Sequence, residues 1–228
     1  MSLLSGSKFE VVDLSHEIFP GMQVFGAEWH RDVSFEPLGR IERVGRRTTQ
    51  IHIGTHSGTH IDAPSHFIES GKTINELSLD VFIGRATKLN LRDVPKRAEI
   101  TADYLQQNFA NTSFERRVII DFNWSRNYGS SLFYTDHPFF TVEAAQWLVG
   151  KGIELLGYDT PMLDNPEHGH ASDCDSPIHK VFLELGIPLV EYMNNLNLVD
   201  EEFMLIAAPL NLRELDGSPI RCVGINVG

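Results

Sequence analysis

Five side chains able to bind a metal fall at even positions in one short stretch: His52, His56, His60, Asp62 and His66. Four of the chain's ten histidines lie in this run, spaced by small, β-branched, Gly and Pro residues. An extended backbone sends alternate side chains to one face, so a strand would gather all five together. A helix would also pair His56 with His60 one turn apart. Thr55, Thr59, Ile61, Gly58 and Pro64 argue against that helix. Imidazole and carboxylate together suit Zn(II), with Mn(II) or Fe(II) as alternatives.

A straight strand cannot bring His56 and His60 to one ion, because they would stand roughly 13 Å apart, whereas Zn–N bonds are about 2.0–2.1 Å long. The chain must fold back between them, and Ser57-Gly58-Thr59 supplies the glycine for a bend. His60 and Asp62 already point the same way. The stretch is therefore predicted as strand, kink, metal ligands, then a Pro64-stiffened turn that aims His66.

A second group of residues lies far along the chain. Ser176-Pro177-Ile178-His179 reads as a capped helix start, with Lys180 to Leu185 completing the helix before Gly186. His179 then sits in the first turn, where the helix dipole favours the neutral imidazole a metal needs. Ile187 to Tyr192 returns as a strand and can bring Glu191 back beside His179, twelve residues earlier. Between the two halves, residues 159–175 form a long polar loop of the kind that is often functional. It carries His168 and His170, read here as part of a solvated or gating loop rather than as ligands.

The positioning elements follow from the rest of the pattern. Val11 to Ser15 opens with a strand, followed by a turn at Phe19-Pro20-Gly21-Met22. Ser78 to Val81 reads as a short helix, Ala86 to Leu91 as a strand, and Thr101 as the cap of a helix running through Asn108. Arg117 to Phe122 is a buried strand, Thr141 caps a helix ended by Gly150, and Ile153 to Asp159 is a further strand. Phe203 to Ala208 and Arg221 to Ile225 close the series. This pattern predicts an α/β fold with a mixed sheet, as one domain over residues 1–228.

Composition narrows the partners. The 228 residues are 42% hydrophobic, with no repeat or low-complexity tract, and suffice for a real core. Nineteen basic against 31 acidic residues give a net charge of −12, which argues against nucleic acid or an anionic membrane as partner. The basic clusters at Arg40-Arg43-Arg46-Arg47 and Lys96-Arg97 read as solvated or ion-paired. Two cysteines, Cys174 and Cys222, suit free thiols in a reducing cytoplasm. The N-terminal residues lack the apolar run of a signal peptide.

The eleven residues from His56 to His66 match the pattern His-x-Gly-Thr-His-x-Asp-x-Pro-x-His, and so resemble the cyclase superfamily, which includes bacterial kynurenine formamidase and isatin hydrolase. The likeness continues through Asp121-Phe122-Asn123-Trp124, Gly157 to Pro161, Pro177-Ile178-His179, Glu191, Ala208-Pro209-Leu210 and Gly217 to Arg221. The resemblance implies a swivelling β/β/α-type domain with a barrel-like core, usually dimeric, holding one or two Zn(II) or Mn(II) ions. It implies His56, His60 and Asp62 as ligands of a first metal, Asp62 able to bridge, and His179 and Glu191 completing a second. His66 takes the place of the catalytic acid/base. Phe25 stands where the formamidases line their substrate pocket with Trp, and Gly26 replaces the Pro that follows it there.

The implied reaction is hydrolysis of a small-molecule amide, lactam, lactone or ester by metal-activated water. An imidazole, ordinarily titrating near pH 6.5, suits the proton transfers. Two alternatives use the same residues: a non-hydrolytic cyclase or isomerase, and a metal- or small-molecule-binding protein without catalysis. A purely structural zinc site would be richer in cysteine. Fourteen phenylalanines are compatible with an aromatic-lined pocket.

Overall fold

Runs of Val, Ile and Leu between Gly- and Pro-containing turns become strands, named here in chain order: β1 (Phe9–Asp13), β2 (Ser34–Gly39), β3 (Thr48–His52), β4 (His60–Asp62), β5 (Ile83–Asn90), β6 (Glu99–Ile100), β7 (Arg117–Asp121), β8 (Phe139–Phe140), β9 (Leu155–Tyr158), β10 (Leu189–Glu191), β11 (Glu202–Ile206), β12 (Gly217–Pro219) and β13 (Val223–Val227). The α-helices are α1 (Ile41–Val44), α2 (Leu79–Phe82), α3 (Ala102–Phe109), α4 (Leu132–Thr135), α5 (Val142–Val149) and α6 (Pro177–Leu183). The computed structural model describes residues 9–168, 172 and 174–227.

Among the described residues, nine strands join into one curled sheet in the order β1-β13-β11-β5-β7-β9-β10-β4-β12. The centre, β5-β7-β9-β10, is parallel, and its flanking strands pair antiparallel. All five residues of β7 are buried, as a central parallel strand covered on both faces requires. Val118 and Ile120 face a layer that includes Leu105 of α3, Ala144 and Leu148 of α5, and Phe182 of α6. Ile119, between them, faces the opposite core with Ile61, Phe82, Val190 and Leu205. One strand thus serves two apolar layers by its two-residue period.

Caps fall where the side chains predict them. Thr101 Oγ1 accepts the N–H of Tyr104, and Thr141 Oγ1 that of Ala144. Asp159, at the end of β9, accepts N–H groups from Phe122, Trp124 and Ser125. That carboxylate ties the turn after β7 to the next strand, bringing two of the family-like segments together. Burial and the Asp121 charge push its carboxyl up to about 7.

Two expectations are corrected. His52 does not share the face of the other four residues. It lies exposed on the β2–β3 hairpin, 3.6 Å from Glu36, because β3 ends at His52 and strand parity ends with it. Ser176 adopts a left-handed φ of 48° and makes no side-chain cap; Asp164 takes that part instead. The short strands β2 and β12 carry little apolar patterning, so the sequence does not mark them as strands.

Other expectations hold. Cys174 is exposed and Cys222 buried, both as free thiols. Helix α1, beside Arg40, Arg43, Arg46 and Arg47, buries none of its residues, and Arg97 pairs with Glu167. Among the described residues no helix is long and apolar enough to cross a membrane. His170 lies outside the described residues. His168 donates its N–H to the Asn165 carbonyl, 2.7 Å away, as part of the loop's own fold.

Candidate active site

Sheet register creates the centre. On β4, Glu191 of β10 pairs across from His60, and Gly217 of β12 pairs across from Asp62. Cross-strand partners point to the same face, so His60, Asp62 and Glu191 converge on one side while Ile61 and Val190 enter the core on the other. His56 arrives from the preceding turn, where Gly58 holds the predicted kink with a φ of 63°. Pro64 to His66 is a single 3-10 turn, and the His66 N–H donates to the Ala63 carbonyl at 2.9 Å. His179 comes from the first turn of α6.

These six side chains meet. His56 Nδ1 lies 2.7 Å from Asp62 Oδ1, and His60 Nε2 lies 3.2 Å from the same oxygen and 3.4 Å from Glu191 Oε2. His179 Nε2 is 3.0 Å from Glu191 Oε1 and 3.6 Å from Asp62 Oδ2. His66 Nε2 stands 3.9 Å from Asp62 Oδ2. Two tight triples share Asp62, one with His56 and His66, the other with His60 and Glu191, each with ligand atoms within 4.8 Å of one another. These triples cut across the division expected from the sequence, in which His56 and His60 belong together and His66 stands outside.

Each imidazole is also gripped from behind. His60 Nδ1 meets the Gly58 carbonyl at 2.7 Å, His179 Nδ1 meets Asp164 Oδ2 at 2.5 Å, and His56 Nε2 meets Asp216 Oδ2 at 2.7 Å. An outer partner of this kind fixes the ring and chooses the nitrogen left for the centre. Asp164 accepts the backbone N–H groups of Ile178 and His179 as well, so it starts α6 and aims its histidine together. Tyr158 donates its hydroxyl to Glu191 Oε1 at 2.7 Å.

Asp164, Asp216 and Tyr158 are functional neighbours that sequence reasoning misses. Asp164 belongs to the 159–175 loop marked by its length, Asp216 precedes the family-like tail at Gly217, and Tyr158 lies within the Gly157–Pro161 segment. Their neighbourhoods carry a signal; the individual residues do not.

Charge balance explains the titration of the cluster. Burial disfavours protonated His56 and His60, but the carboxylates outweigh it and raise the rings from 6.5 to about 10 and about 9. Burial likewise opposes the imidazolium of His179, yet Asp164 and Glu191 lift it well above its ordinary value. These carboxylates overcome the helix dipole that the sequence reading relies on. Burial would raise Asp62, and the facing His56 and His66 pull it well below its usual value instead. Burial and Asp62 push Glu191 up, while His179 and His60 bring it down overall. Nearly buried carboxylates this close together need positive charge between them. Protons on the imidazoles supply it here, and a divalent cation would supply it on the same nitrogens once they are deprotonated. The donor set, oxygen and imidazole nitrogen without sulfur, fits Zn(II) or Mn(II).

A cleft of about 210 Å³ opens on the centre, walled by Phe25, Trp29, Phe67, Met162 and Tyr192. Phe25 makes edge contacts with His30 and Tyr134 at 5.7 and 5.8 Å between ring centroids. A second cleft of about 630 Å³ adjoins it, and Trp29, His30, His56 and His66 line both. His66 therefore stands where the two spaces meet.

A family model described as Putative cyclase matches residues 12–165. Kynurenine formamidase of Bacillus cytotoxicus is 33% identical over 206 residues, covering 86% of this chain and 90% of that protein. A kynurenine formamidase of Bacillus cereus is 31% identical over 223 residues, covering 94% and 96%. An isatin hydrolase bound to the product analogue thioisatinate superposes with a TM-score of 0.88 at 21% identity, over 96% of this chain and 93% of that one. A protein described as a potential metal-dependent hydrolase with cyclase activity superposes with a TM-score of 0.75 at 23% identity, over 97% and 100%.

Proposed function

The chain belongs to the cyclase family, and from that premise we propose that it is a metal-dependent hydrolase of a small-molecule C–N bond, in an amide or lactam, with esters and lactones as related substrates. The observation that carries this reading is the convergence of His56, His60, Asp62, His179 and Glu191 beside His66 at the floor of an aromatic cleft. The five would hold one or two Zn(II) or Mn(II) ions. When bound, such an ion polarises a carbonyl and brings the pKa of its water to about 7.

The chain's own residues do the rest. Phe25, Trp29, Phe67 and Met162 offer flat apolar walls that orient an aromatic substrate and exclude bulk water. His66 is less buried than the five ligands, with a quarter of its side chain exposed, and reaches the cleft. Its Nε2 takes the proton released as the carbonyl carbon is attacked, then returns it to the departing nitrogen or oxygen. Assistance of this kind is worth roughly 10²–10⁴-fold in rate. Phe25 in place of the formamidase Trp, followed by Gly26, gives a narrower wall and a more pliant segment. The kynurenine formamidases are relatives rather than a substrate assignment.

The chain is further proposed to work as a homodimer in the cytoplasm. Phe35, Leu38, Ile41 and Ile51 of the β2–β3 hairpin and α1 are exposed in one chain, an apolar surface that association would cover. The two free thiols suit a reducing compartment.

Metal per chain, measured on wild type and Glu191→Ala, tests the centre. Two equivalents falling to one or fewer supports a two-metal site, while one equivalent in both removes Glu191 as a ligand. Turnover of N-formyl anilides, isatins and aryl esters in ¹⁸O-water tests the reaction. Label in the product acid supports hydrolysis, and turnover without label supports an isomerase or cyclase. A protein that holds its metal and turns over none of the panel overturns the proposal. In His66→Ala, loss of turnover with metal retained is the expected result, and loss of the metal would make His66 a ligand.

A further inference from the structure

We propose that Asp216 is the positioning residue for His66, accepting a hydrogen bond from its Nδ1–H so that Nε2 faces the cleft. Asp216 Oδ2 lies 3.3 Å from His66 Nδ1, while His66 Nε2 points back toward Asp62. The same Oδ2 lies 2.7 Å from His56 Nε2, and the two rings sit 3.9 Å apart with a tilt of 32°. One carboxylate oxygen therefore sets both the nearest metal-ligand candidate and the ring stacked upon it. The inference rests on the acid/base reading of His66 proposed above.

Asp216 is held by contacts independent of either histidine. Its carbonyl accepts the Ala63 N–H at 2.9 Å, and its Oδ1 accepts the Thr55 hydroxyl at 3.1 Å. The next residue, Gly217, pairs with Asp62 in the β12–β4 ladder. A Cβ on Gly217 would stand 2.6 Å from the Ile61 carbonyl oxygen and 3.0 Å from His56 Cε1. Only glycine lets the tail approach closely enough to bring Asp216 against the rings. An imidazole that must both accept and give a proton at one nitrogen needs its other nitrogen occupied, which fixes tautomer and orientation together. The rings of His56 and Phe67 pack against His66, but among the hydrogen bonds of the described residues its ring has Asp216 alone.

The competing roles make different predictions. A carboxylate serving only His56 would act on metal retention, and one serving only the loop would act on stability. The test uses the zinc-loaded protein and three variants, Asp216→Asn, His66→Ala and the double variant, with turnover of phenyl acetate and N-formylaniline, zinc per chain, and the downfield proton NMR signals of ring N–H groups bonded to carboxylates. With every variant held at saturating zinc, the expected result is a loss of about 10–100-fold in kcat for Asp216→Asn with KM unchanged, and a weaker hold on zinc as well, because the same oxygen supports His56. One downfield signal should vanish in both single variants, and the double variant should be no slower than His66→Ala. Unchanged kcat in zinc-saturated Asp216→Asn would overturn the proposal, as would an equal further loss on the His66→Ala background or survival of that signal in Asp216→Asn. A fully active His66→Ala would instead overturn the acid/base reading, and the NMR signal would still report on the contact.

Discussion

Asp164 receives three N–H groups, from the Ile178 backbone at 2.7 Å, the His179 backbone at 3.3 Å and His179 Nδ1 at 2.5 Å. Helix α6 is thus started by a residue fourteen positions before Ile178, and the same carboxylate orients the helix's histidine. An Asn side chain has one carbonyl oxygen and an NH₂ that would face the other donors. Asp164→Asn should lower zinc affinity by roughly 10–100-fold and stability by about 1–3 kcal/mol. Competition with a chromophoric chelator and thermal unfolding of the metal-free protein measure the two effects separately.

The turn carrying His66 rests on Gly71. A Cβ there would stand 2.5 Å from the Pro64 carbonyl carbon and 2.7 Å from the Ser65 nitrogen, both backbone atoms that cannot swing aside. Gly71→Ala should displace the 64–66 turn at a cost of about 1–3 kcal/mol, with kcat falling while the zinc stays bound. Unchanged kcat in a folded, zinc-loaded variant would contradict this account of how His66 is placed.

Stability of the metal-free protein should fall as pH rises. His56 and His60 go from 6.5 to about 10 and about 9 on folding, so their contribution is full below about 6.5 and lost as pH climbs through 9 to 10. Asp159, raised from 3.8 to about 7, acts in the same direction. Toward acid the trend reverses: buried His16 and His137, lowered to about 4, favour the fold above 6.5 and oppose it below. Asp62, Glu191 and Asp216, all lowered, lose their contribution as they protonate. Zinc should change the alkaline limb, because its ligands must be deprotonated. Melting temperature between pH 5 and 10, with chelator and with zinc, should give a falling limb above pH 6.5 only in the former.

Phe25 should govern binding more than chemistry. Its ring walls the cleft and packs edge-on against Tyr134 and His30. Phe25→Ala should raise KM for an aryl substrate roughly 3–10-fold, the worth of one aromatic contact, with little change in kcat. A fall in kcat at constant KM would place this ring at the transition state instead.

The chemistry is legible in the sequence where local pattern and function coincide. His56, His60, Asp62 and His66 stand within eleven residues, Gly58 marks the kink, and Thr101 and Thr141 cap their helices as residue type alone suggests. Glu191 and His179 are reachable through a helix-and-return pattern joined to resemblance. Asp164 and Asp216 are not, because each acts across a separation of 15 or 150 residues that only the folded sheet closes. His52 misleads because even spacing extends beyond the strand that gives it meaning. Without a metal, Asp164 and Glu191 favour the protonated ring of His179; a helix dipole is local and visible in sequence, whereas those carboxylates come from elsewhere.

The pairing of β4 with β10 and β12 has a consequence for how this protein can change. The spacing of His60, Asp62 and Glu191 is written in backbone hydrogen bonds, and a one-residue slip of β4 would send His60 and Asp62 into the core and Ile61 into the cleft. The walls at Phe25, Trp29 and Met162 belong to none of these strands. Phe67 and Tyr192, which follow His66 and Glu191 directly, are tied to the centre, whereas Phe25, Trp29 and Met162 sit on separate parts of the chain. The 25–30 and 161–163 segments can therefore vary without disturbing the ladder that spaces His60, Asp62 and Glu191.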